Sequence, residues 1–191
     1  MSLASARGAT RRATALLILD LISEFRFEDW RRILAAAQRV APPIERLRRR
    51  AHAAAVPVIF VNDSGEHWDS DRTAFIRRAT GRDARGSEVA RRLAPAEQDH
   101  FVFKPRHSGF YATPLADLLD RLKVGRLILT GLTTHQCVLF TAVDAYVRDF
   151  ELIVPPDCIG APQAVQTRHA LFVLREALNA RTPRSDRIRL R

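Results

Sequence analysis

The stretch LILTGLTTHQCV, residues 127–138, decides the fold of this 191-residue chain. It opens with apolar residues that do not alternate with polar ones, which is typical of a strand buried on both faces of a parallel sheet. Gly131 then provides a tight turn, and Cys137 begins a predicted helix. The stretch therefore holds a strand, a turn and the start of a helix, which is the repeating unit of α/β folds.

Similar units recur along the chain. The predicted strands cover residues 13–20, 56–61, 100–104, 126–130 and 151–154, and a sixth is expected at 188–190. The predicted helices cover residues 29–55, 113–122, 137–150 and 162–180, with a short one near 73–78 in a long loop. We expect the first helix to have Asp29 as its N-cap and to break at Pro42-Pro43, where a second helix starts.

Strands that alternate with helices predict the α/β class with a parallel sheet. No internal repeat, low-complexity tract or linker divides the chain. We therefore expect one domain over residues 1–191, of which residues 1–12 are flexible.

The chain is strongly basic, with a formal net charge of +10. Its arginines are spread in pairs along the sequence, and no RRM, zinc-finger or helix-turn-helix pattern accompanies them. We therefore expect a solvated, arginine-rich surface and no specific nucleic-acid partner.

No apolar run approaches the roughly 20 residues that cross a bilayer, and no signal-peptide pattern follows the basic N-terminus. These features predict a cytoplasmic protein without a membrane partner. Cys137 and Cys158 are then not expected to form a disulfide, and two thiols are too few for a structural zinc site. Cys158 lacks a setting that suggests chemistry, so we expect it to be structural.

Three reactive residues fall at the carboxyl ends of predicted strands, where open α/β sheets bind ligands. Asp20 closes the first strand, Lys104 closes the third, and Cys137 follows the fourth. Lysine occurs only at Lys104 and Lys123, and a lysine can exchange a proton where an arginine cannot. The fold would bring these three distant residues to one edge of the sheet.

A thiol at the start of a helix, beside a lysine, is expected to have a lowered pKa. Asp20 could take the proton of the Cys137 thiol and later deliver it to a leaving group. The turn at residues 131–133 would place backbone N–H groups near the sulfur, where they could hold an oxyanion. This combination indicates a hydrolase with a cysteine nucleophile.

The chain resembles the isochorismatase-like cysteine hydrolases, which include nicotinamidases and N-carbamoylsarcosine amidohydrolases. Four stretches carry the resemblance: LLILDLISEF (16–25), KPRHSGFYATPLADLL (104–119), LILTGLTTHQCV (127–138) and LFTAVDAYVRDFELIVPPDC (139–158). The resemblance implies a Rossmann-like three-layer sandwich, with about six parallel strands and helices on both faces. It also implies a homodimer or homotetramer.

The resemblance further implies a catalytic triad of Asp20, Lys104 and Cys137. It implies a cis peptide between Leu132 and Thr133, and an oxyanion hole built from the N–H groups of Thr133 and Cys137. Members of the family hydrolyse small amide, carbamoyl or related C–N bonds through a thioester-type intermediate.

One motif departs from the nicotinamidase pattern, which has an Asp-x-His metal motif after the second strand. Residues 62–68 read NDSGEHW here. Asp63 and His67 could still be ligands, but their spacing differs and a second histidine is not evident, so we expect no metal and no cofactor. This segment is interpreted as a wall of the substrate pocket. The residues expected to line that pocket are Phe25, Trp68, His107, Phe110, Leu132 and His135.

Three functions remain in competition. The first is a metal-independent cysteine amidohydrolase that acts on a small amide, carbamoyl or ureido substrate. The second is an isochorismate-type vinyl-ether hydrolase, in which Asp20 acts as the acid and Cys137 is dispensable. The third is a non-enzymatic member of the family that binds a ligand or an acidic partner.

Overall fold

A parallel sheet forms the centre of the molecule in the computed structural model, which describes residues 13–64 and 71–190. Within these ranges the sheet has six strands, in the order β3-β2-β1-β4-β5, with β6 paired to the end of β4. The strands are β1 (Ala13–Leu19), β2 (Val58–Asp63), β3 (His100–Lys104), β4 (Val124–Leu132), β5 (Glu151–Ile153) and β6 (Ile159–Gly160). Every pairing between them is parallel.

Helices cover both faces of the sheet. They are α1 (Trp30–Ala53), α2 (Arg72–Thr80), α3 (Ser87–Arg92), α4 (Leu115–Arg121), α5 (Leu139–Tyr146) and α6 (Ala164–Glu176). A π-helical turn, Thr134–Val138, precedes α5. None of the described helices combines the length and the apolar character that crossing a membrane requires.

The two faces of β1 show how the sheet separates two cores. Leu16 and Ile18 pack with apolar residues of α1 to α3. Leu17 and Leu19, one residue out of phase, pack with those of α4 to α6. Side chains of a strand alternate between its two faces, so a continuous apolar run is required where both faces are covered. The three-layer α/β sandwich predicted from the sequence is confirmed.

The predicted break in the first helix is wrong. α1 is continuous, and Pro42 and Pro43 both lie inside it. The buried face of α1 extends across the prolines through Val40, Ile44 and Leu47. Packing of that face against the sheet keeps one helix axis despite the hydrogen bonds that proline removes. Asp29 is not a side-chain cap either, since its backbone is left-handed and its carboxylate makes no capping bond.

The strand predicted at residues 188–190 is also wrong, and β6 is the sixth strand instead. Arg50, in the last turn of α1, donates hydrogen bonds to the carbonyls of Ser185 and Ile188. These carbonyls are thus bonded to a side chain and not to a sheet. Elsewhere the predicted elements are present with shifted ends. The predicted flexibility of residues 1–12 lies outside the described residues.

The strand order reverses between β1 and β4, which makes their carboxyl ends the switch point of the sheet. The chain passes from β1 outward through β2 to β3 and then returns to β4, which lies on the other side of β1. The connections that leave β1 and β4 therefore diverge to opposite faces and leave a crevice between them.

Gly131 is required where β4 passes β1. Its φ is +108°, and a β-carbon there would lie 2.1 Å from the carbonyl oxygen of Leu19. We expect Gly131→Ala to lower the free energy of unfolding by about 3 kcal/mol or more, because backbone atoms must move and the dihedral is strained. Urea unfolding followed by circular dichroism measures this loss.

Gly81→Ala is the matched control. Gly81 has a φ of −61°, and its nearest neighbour to a new β-carbon is a carbonyl oxygen at 3.2 Å. We expect this variant to change stability by less than about 1 kcal/mol. Equal losses in the two variants would refute the assignment of the close approach to Gly131.

Candidate active site

The three residues that end predicted strands meet at the switch point. Asp20 follows β1, Lys104 is the last residue of β3, and Cys137 lies in the π-helical turn after β4. Lys104 Nζ lies 3.0 Å from Asp20 Oδ2, and it donates a hydrogen bond of 3.4 Å to Cys137 Sγ. The expected convergence of these residues is therefore present.

Lys104 is fully buried, with 0% of its surface exposed. A buried ammonium group is costly unless opposite charges compensate for the lost water. Asp20 provides one carboxylate, and Asp63 at the end of β2 provides a second, whose Oδ2 lies 3.9 Å from Nζ. The adjacent strands β2 and β3 end in register at this point, so the sheet itself places Asp63 beside Lys104.

The side chain of Asp20 points towards Lys104 because of its backbone conformation. Its φ is +53°, in the left-handed region, which aspartate tolerates better than most residues. Oδ1 accepts a hydrogen bond of 2.7 Å from the backbone N–H of Asp63. The carboxylate is therefore fixed at one oxygen, while the other faces the lysine.

The electrostatics of the three groups are coupled. Burial raises the pKa of Asp20, although attraction to Lys104 opposes this shift. Burial alone would lower the pKa of Lys104, but attraction to Asp20, to Cys137 and to Asp63 outweighs it, and the pKa is raised. Lys104 therefore stays an ammonium at neutral pH.

The prediction of a lowered thiol pKa is wrong. Burial and then the negative charge of Asp20 raise the pKa of Cys137 to about 12, and Lys104 compensates only in part. Cys137 is also buried, with 9% of its surface exposed. The resting cluster thus holds a neutral thiol and an ammonium, and the attraction of that ammonium for Asp20 favours the ionised carboxylate that can accept the thiol proton.

The sequence predicted Cys137 as the first residue of a helix, which is wrong. Cys137 is the fourth residue of the π-helical turn, and α5 starts two residues later. The carbonyl of Thr133 accepts hydrogen bonds from the N–H groups of Gln136 and Val138, at 3.1 and 3.2 Å. The peptide between Leu132 and Thr133 is cis, as the resemblance implied. These features hold the nucleophile candidate directly behind the end of β4.

A cavity of about 590 Å³ opens in front of the three groups. Of the residues expected in the pocket, Phe25, His107 and Leu132 line it, together with Thr133. His107 Nδ1 lies 4.0 Å from Cys137 Sγ. Asn62, Asp63 and Ser64 also line the cavity, as expected for the described part of the segment after β2. Trp68 and His67 lie outside the described residues.

Two expected pocket residues lie elsewhere. Phe110 is buried in the core between the sheet and α4 to α6, and its ring packs on Phe150 at 5.9 Å. His135 does not line the cavity; burial and the nearby His107 lower its pKa. In both cases the residue is close in sequence to the site, but the direction of its side chain depends on the turn that carries it.

The cavity also has lining residues that the sequence did not reveal. They are chiefly aromatic or charged side chains from the segment after β1 and from α2, with one amide: Arg26, Phe27, Phe75, Arg78 and Gln136. The only available signal was the cluster Phe25-Arg26-Phe27 directly after the Asp20 strand. α2 was predicted as a helix, but nothing in its sequence showed that it faces the site.

The loop that carries His107 is anchored to α5. The backbone N–H of Gly109 donates a buried hydrogen bond of 2.9 Å to Thr141 Oγ1, and Ser108 Oγ donates to Asp144 Oδ2. Since α5 follows the turn of Cys137, these bonds fix the two cavity-lining loops relative to each other.

Asp63, which was considered as a metal ligand from the sequence, lies beside Lys104, with its Oδ2 3.9 Å from Nζ. Within residues 13–64 and 71–190, no cluster of three or more histidine, cysteine or acidic side chains is arranged to hold a metal ion. The described geometry thus gives Asp63 a role in charge compensation for Lys104.

Comparison with known proteins decides the family. The sequence profile of the isochorismatase domain matches residues 14–184, nearly the whole chain. The chain belongs to the isochorismatase family. The resemblance inferred from the four sequence stretches is confirmed.

Relatives of this isochorismatase-family chain align with 66% to 91% of its length. The uncharacterized isochorismatase family protein YaaI of Bacillus subtilis (strain 168) is 33% identical over 174 residues, 91% of this chain and 95% of that protein. The ureidoacrylate amidohydrolase RutB of Methylorubrum extorquens is 27% identical over 184 residues, 81% of this chain and 73% of RutB. The chain spans about half the length, 52%, of several other curated relatives.

Solved structures of the isochorismatase family agree with the fold. The crystal structure of N-carbamoylsarcosine amidase from Thermoplasma acidophilum has a TM-score of 0.70 and 25% identity, covering 92% of this chain and 98% of that one. The parallel sheet with helices on both faces is thus shared across the compared length.

The role of Asp20 in raising the thiol pKa is testable. Asp20→Asn removes a negative charge beside Cys137 and leaves Lys104 in place, so we expect the thiol pKa to fall. Iodoacetamide should then alkylate Cys137 faster in Asp20→Asn than in the wild type at about pH 8. Mass spectrometry resolves the two cysteines.

Cys158 is the internal control. Its pKa is also about 12, raised by burial and by Asp157, and Asp20 is not among the causes. Its alkylation rate should be equal in both proteins. Slower alkylation of Cys137 in the variant would show that Asp20 activates the resting thiol.

Proposed function

We propose that this chain is a cysteine-dependent hydrolase of a small amide, carbamoyl or ureido C–N bond, with Cys137 as the nucleophile. The single observation that carries the proposal is the fully buried Lys104, in contact with both Asp20 and Cys137. A buried charge held between an acid and a thiol at the edge of a cavity is costly to maintain, and such groups cluster at functional sites. The names of two relatives, an ureidoacrylate amidohydrolase and an N-carbamoylsarcosine amidase, support the substrate class.

The first step forms the bond between sulfur and the substrate carbon. As Cys137 Sγ attacks the carbonyl, Asp20 takes the thiol proton, because a thiol with a pKa of about 12 does not ionise unaided at neutral pH. The carbonyl π electrons move to the oxygen. Backbone N–H groups of Thr133 and Cys137, at the wall of the cavity, are the proposed donors to that oxyanion.

The second step breaks the C–N bond. The oxyanion collapses, the amine departs, and Asp20 returns its proton to the leaving nitrogen. An amide leaves a thioester on Cys137, and a carbamoyl or ureido substrate leaves a thiocarbamate. Water then attacks this carbonyl carbon with Asp20 again as the base, and the sulfur leaves with the proton that Asp20 returns.

The ammonium of Lys104 stabilises negative charge during this cycle. The proton that Asp20 takes from Cys137 passes to the leaving nitrogen, so Asp20 carries a negative charge both before the attack and after the amine departs. The ammonium compensates that charge at 3.0 Å and lies 3.4 Å from the sulfur that attacks and later leaves. Asp63 also raises the pKa of Lys104 and so favours its ammonium form.

The cavity suits a small substrate with an apolar part. Phe25, Phe27 and Phe75 form an apolar wall, while Asn62 and Gln136 offer amide groups. A cavity of about 590 Å³ lies within the range of small-molecule pockets. The predictions of a cytoplasmic location and of a homodimer or homotetramer stay predictions.

The nucleophile is tested with Cys137→Ala. We expect turnover on a panel of small amides, N-carbamoyl amino acids and ureido acids to fall by at least about 10³-fold, because no other group can form the covalent intermediate. Ammonia or amine release measures the rate. Cys158→Ala is the matched control and should keep the activity of the wild type.

The competing functions give different outcomes. Hydrolysis that survives Cys137→Ala but not Asp20→Asn would contradict the thiol mechanism and favour vinyl-ether hydrolysis, with Asp20 as the acid. A wild-type chain that turns over no member of the panel, and whose Cys137 no panel compound protects from alkylation, would favour a binding protein.

A further inference from the structure

A second cavity lies at the opposite end of the sheet from the candidate active site. Its volume is about 310 Å³, and four arginines line it together with Ile153, Pro183 and Ile188: Arg126, Arg181, Arg187 and Arg189. None of the described lining residues carries a carboxylate. Four guanidinium groups around one concave surface are unusual, since like charges repel and arginine is always ionised.

The fold holds two of these arginines on the sheet. Arg126 lies near the start of β4 and pairs with Glu151 at the start of β5. Arg181 extends the edge of the sheet, where its N–H donates to the carbonyl of Leu152 and its own carbonyl accepts from the N–H of Val154. The backbones of both residues are therefore fixed by strand hydrogen bonds.

The other two arginines are fixed by their neighbours. Ile188, between Arg187 and Arg189, is buried at 3% exposure. Arg50 donates hydrogen bonds of 2.7 and 2.6 Å to the carbonyls of Ser185 and Ile188. This segment is thus attached to α1, and both arginine side chains remain on the outside of an anchored backbone. The backbone that carries these arginines is therefore ordered before any ligand binds.

The carboxylates near the cavity do not balance these charges. Glu151 pairs with Arg126 at 2.8 Å and compensates one of the four charges. Asp186 lies 4.0 Å from Arg184 and lines a neighbouring cavity. In the described part of the chain, Arg181, Arg187 and Arg189 have no ion-pair partner. The cavity therefore has a surplus of positive charge.

We propose that Arg126, Arg181, Arg187 and Arg189 form a binding site for a small anion that carries an oligophosphate group. The planar fork of arginine matches the oxygen geometry of phosphate and can bind it in a bidentate manner. Linked phosphates supply several negative charges within the short span of the cavity. The concave shape favours a small ligand over the backbone of a nucleic-acid duplex, which needs an extended basic surface. An oligophosphate chain and the phosphates of a nucleotide share this chemistry.

The site is separate from the hydrolase chemistry. Arg126 and Leu132, which lines the active-site cavity, lie six residues apart on β4, a separation of roughly 20 Å at the rise of a β-strand. The proposal therefore stands whether or not Cys137 is a nucleophile, and its test does not depend on turnover.

Isothermal titration of the full chain with inorganic tripolyphosphate at constant ionic strength tests the site. We expect one saturable site per chain. Arg187→Gln combined with Arg189→Gln should weaken it by at least about tenfold, because two charge-assisted contacts are lost. The control combines Arg121→Gln with Arg168→Gln, which removes the same charge from exposed arginines on α4 and α6. It should change the affinity less than about twofold.

The outcomes separate the alternatives. ATP that binds as tightly as tripolyphosphate indicates that the phosphates alone are recognised, while tighter binding indicates a nucleotide; both results support the site. Absence of saturable binding, or equal weakening in both double variants, would overturn it. Binding of a short DNA duplex without binding of tripolyphosphate would also overturn it, and would assign the arginines to a nucleic-acid surface.

Discussion

The buried ammonium of Lys104 is the constraint on which the site depends. With 0% of its surface exposed, it cannot be solvated by water, so the protein must provide its partners. Asp20, Asp63 and the sulfur of Cys137 do so from the ends of three different strands or their following turns. The parallel sheet is what makes this possible, because only its switch point brings these chain segments to one place. Loss of the lysine would leave two carboxylates facing each other.

The same group shows how fold and chemistry depend on each other at single residues. Gly131 allows β4 to approach β1 closely, and the turn of Cys137 begins directly after that contact. Asp20 leaves β1 in a left-handed conformation and fixes one carboxylate oxygen on the next strand. The geometry of the candidate site is therefore set mainly by backbone contacts between strands. The loop that carries His107 is held less directly, through hydrogen bonds to α5.

Much of this could be predicted from the sequence. Asp20, Lys104 and Cys137 were identifiable because strand ends are visible as the limits of apolar runs. What could not be predicted is the direction in which a side chain points and how deeply it is buried. Phe110 lies six residues after Lys104 and Phe27 lies seven residues after Asp20, yet only Phe27 lines the cavity. The predicted direction of the shift in the Cys137 pKa was wrong, because the sequence shows that a lysine is near but not how deeply the sulfur is buried. Pro42 and Pro43 were misleading because tertiary packing outweighs a local preference.

The high pKa of Cys137 affects how readily its thiol is oxidised. Peroxides oxidise thiolates rapidly and neutral thiols slowly, since the anion is the reacting species. A thiol whose pKa is raised stays mostly in the protonated form, which resists conversion to sulfenic acid. Cys158 is 0% exposed and is protected by the same protonation. The burial that raises the pKa of Cys137 would therefore also slow the oxidation of its sulfur.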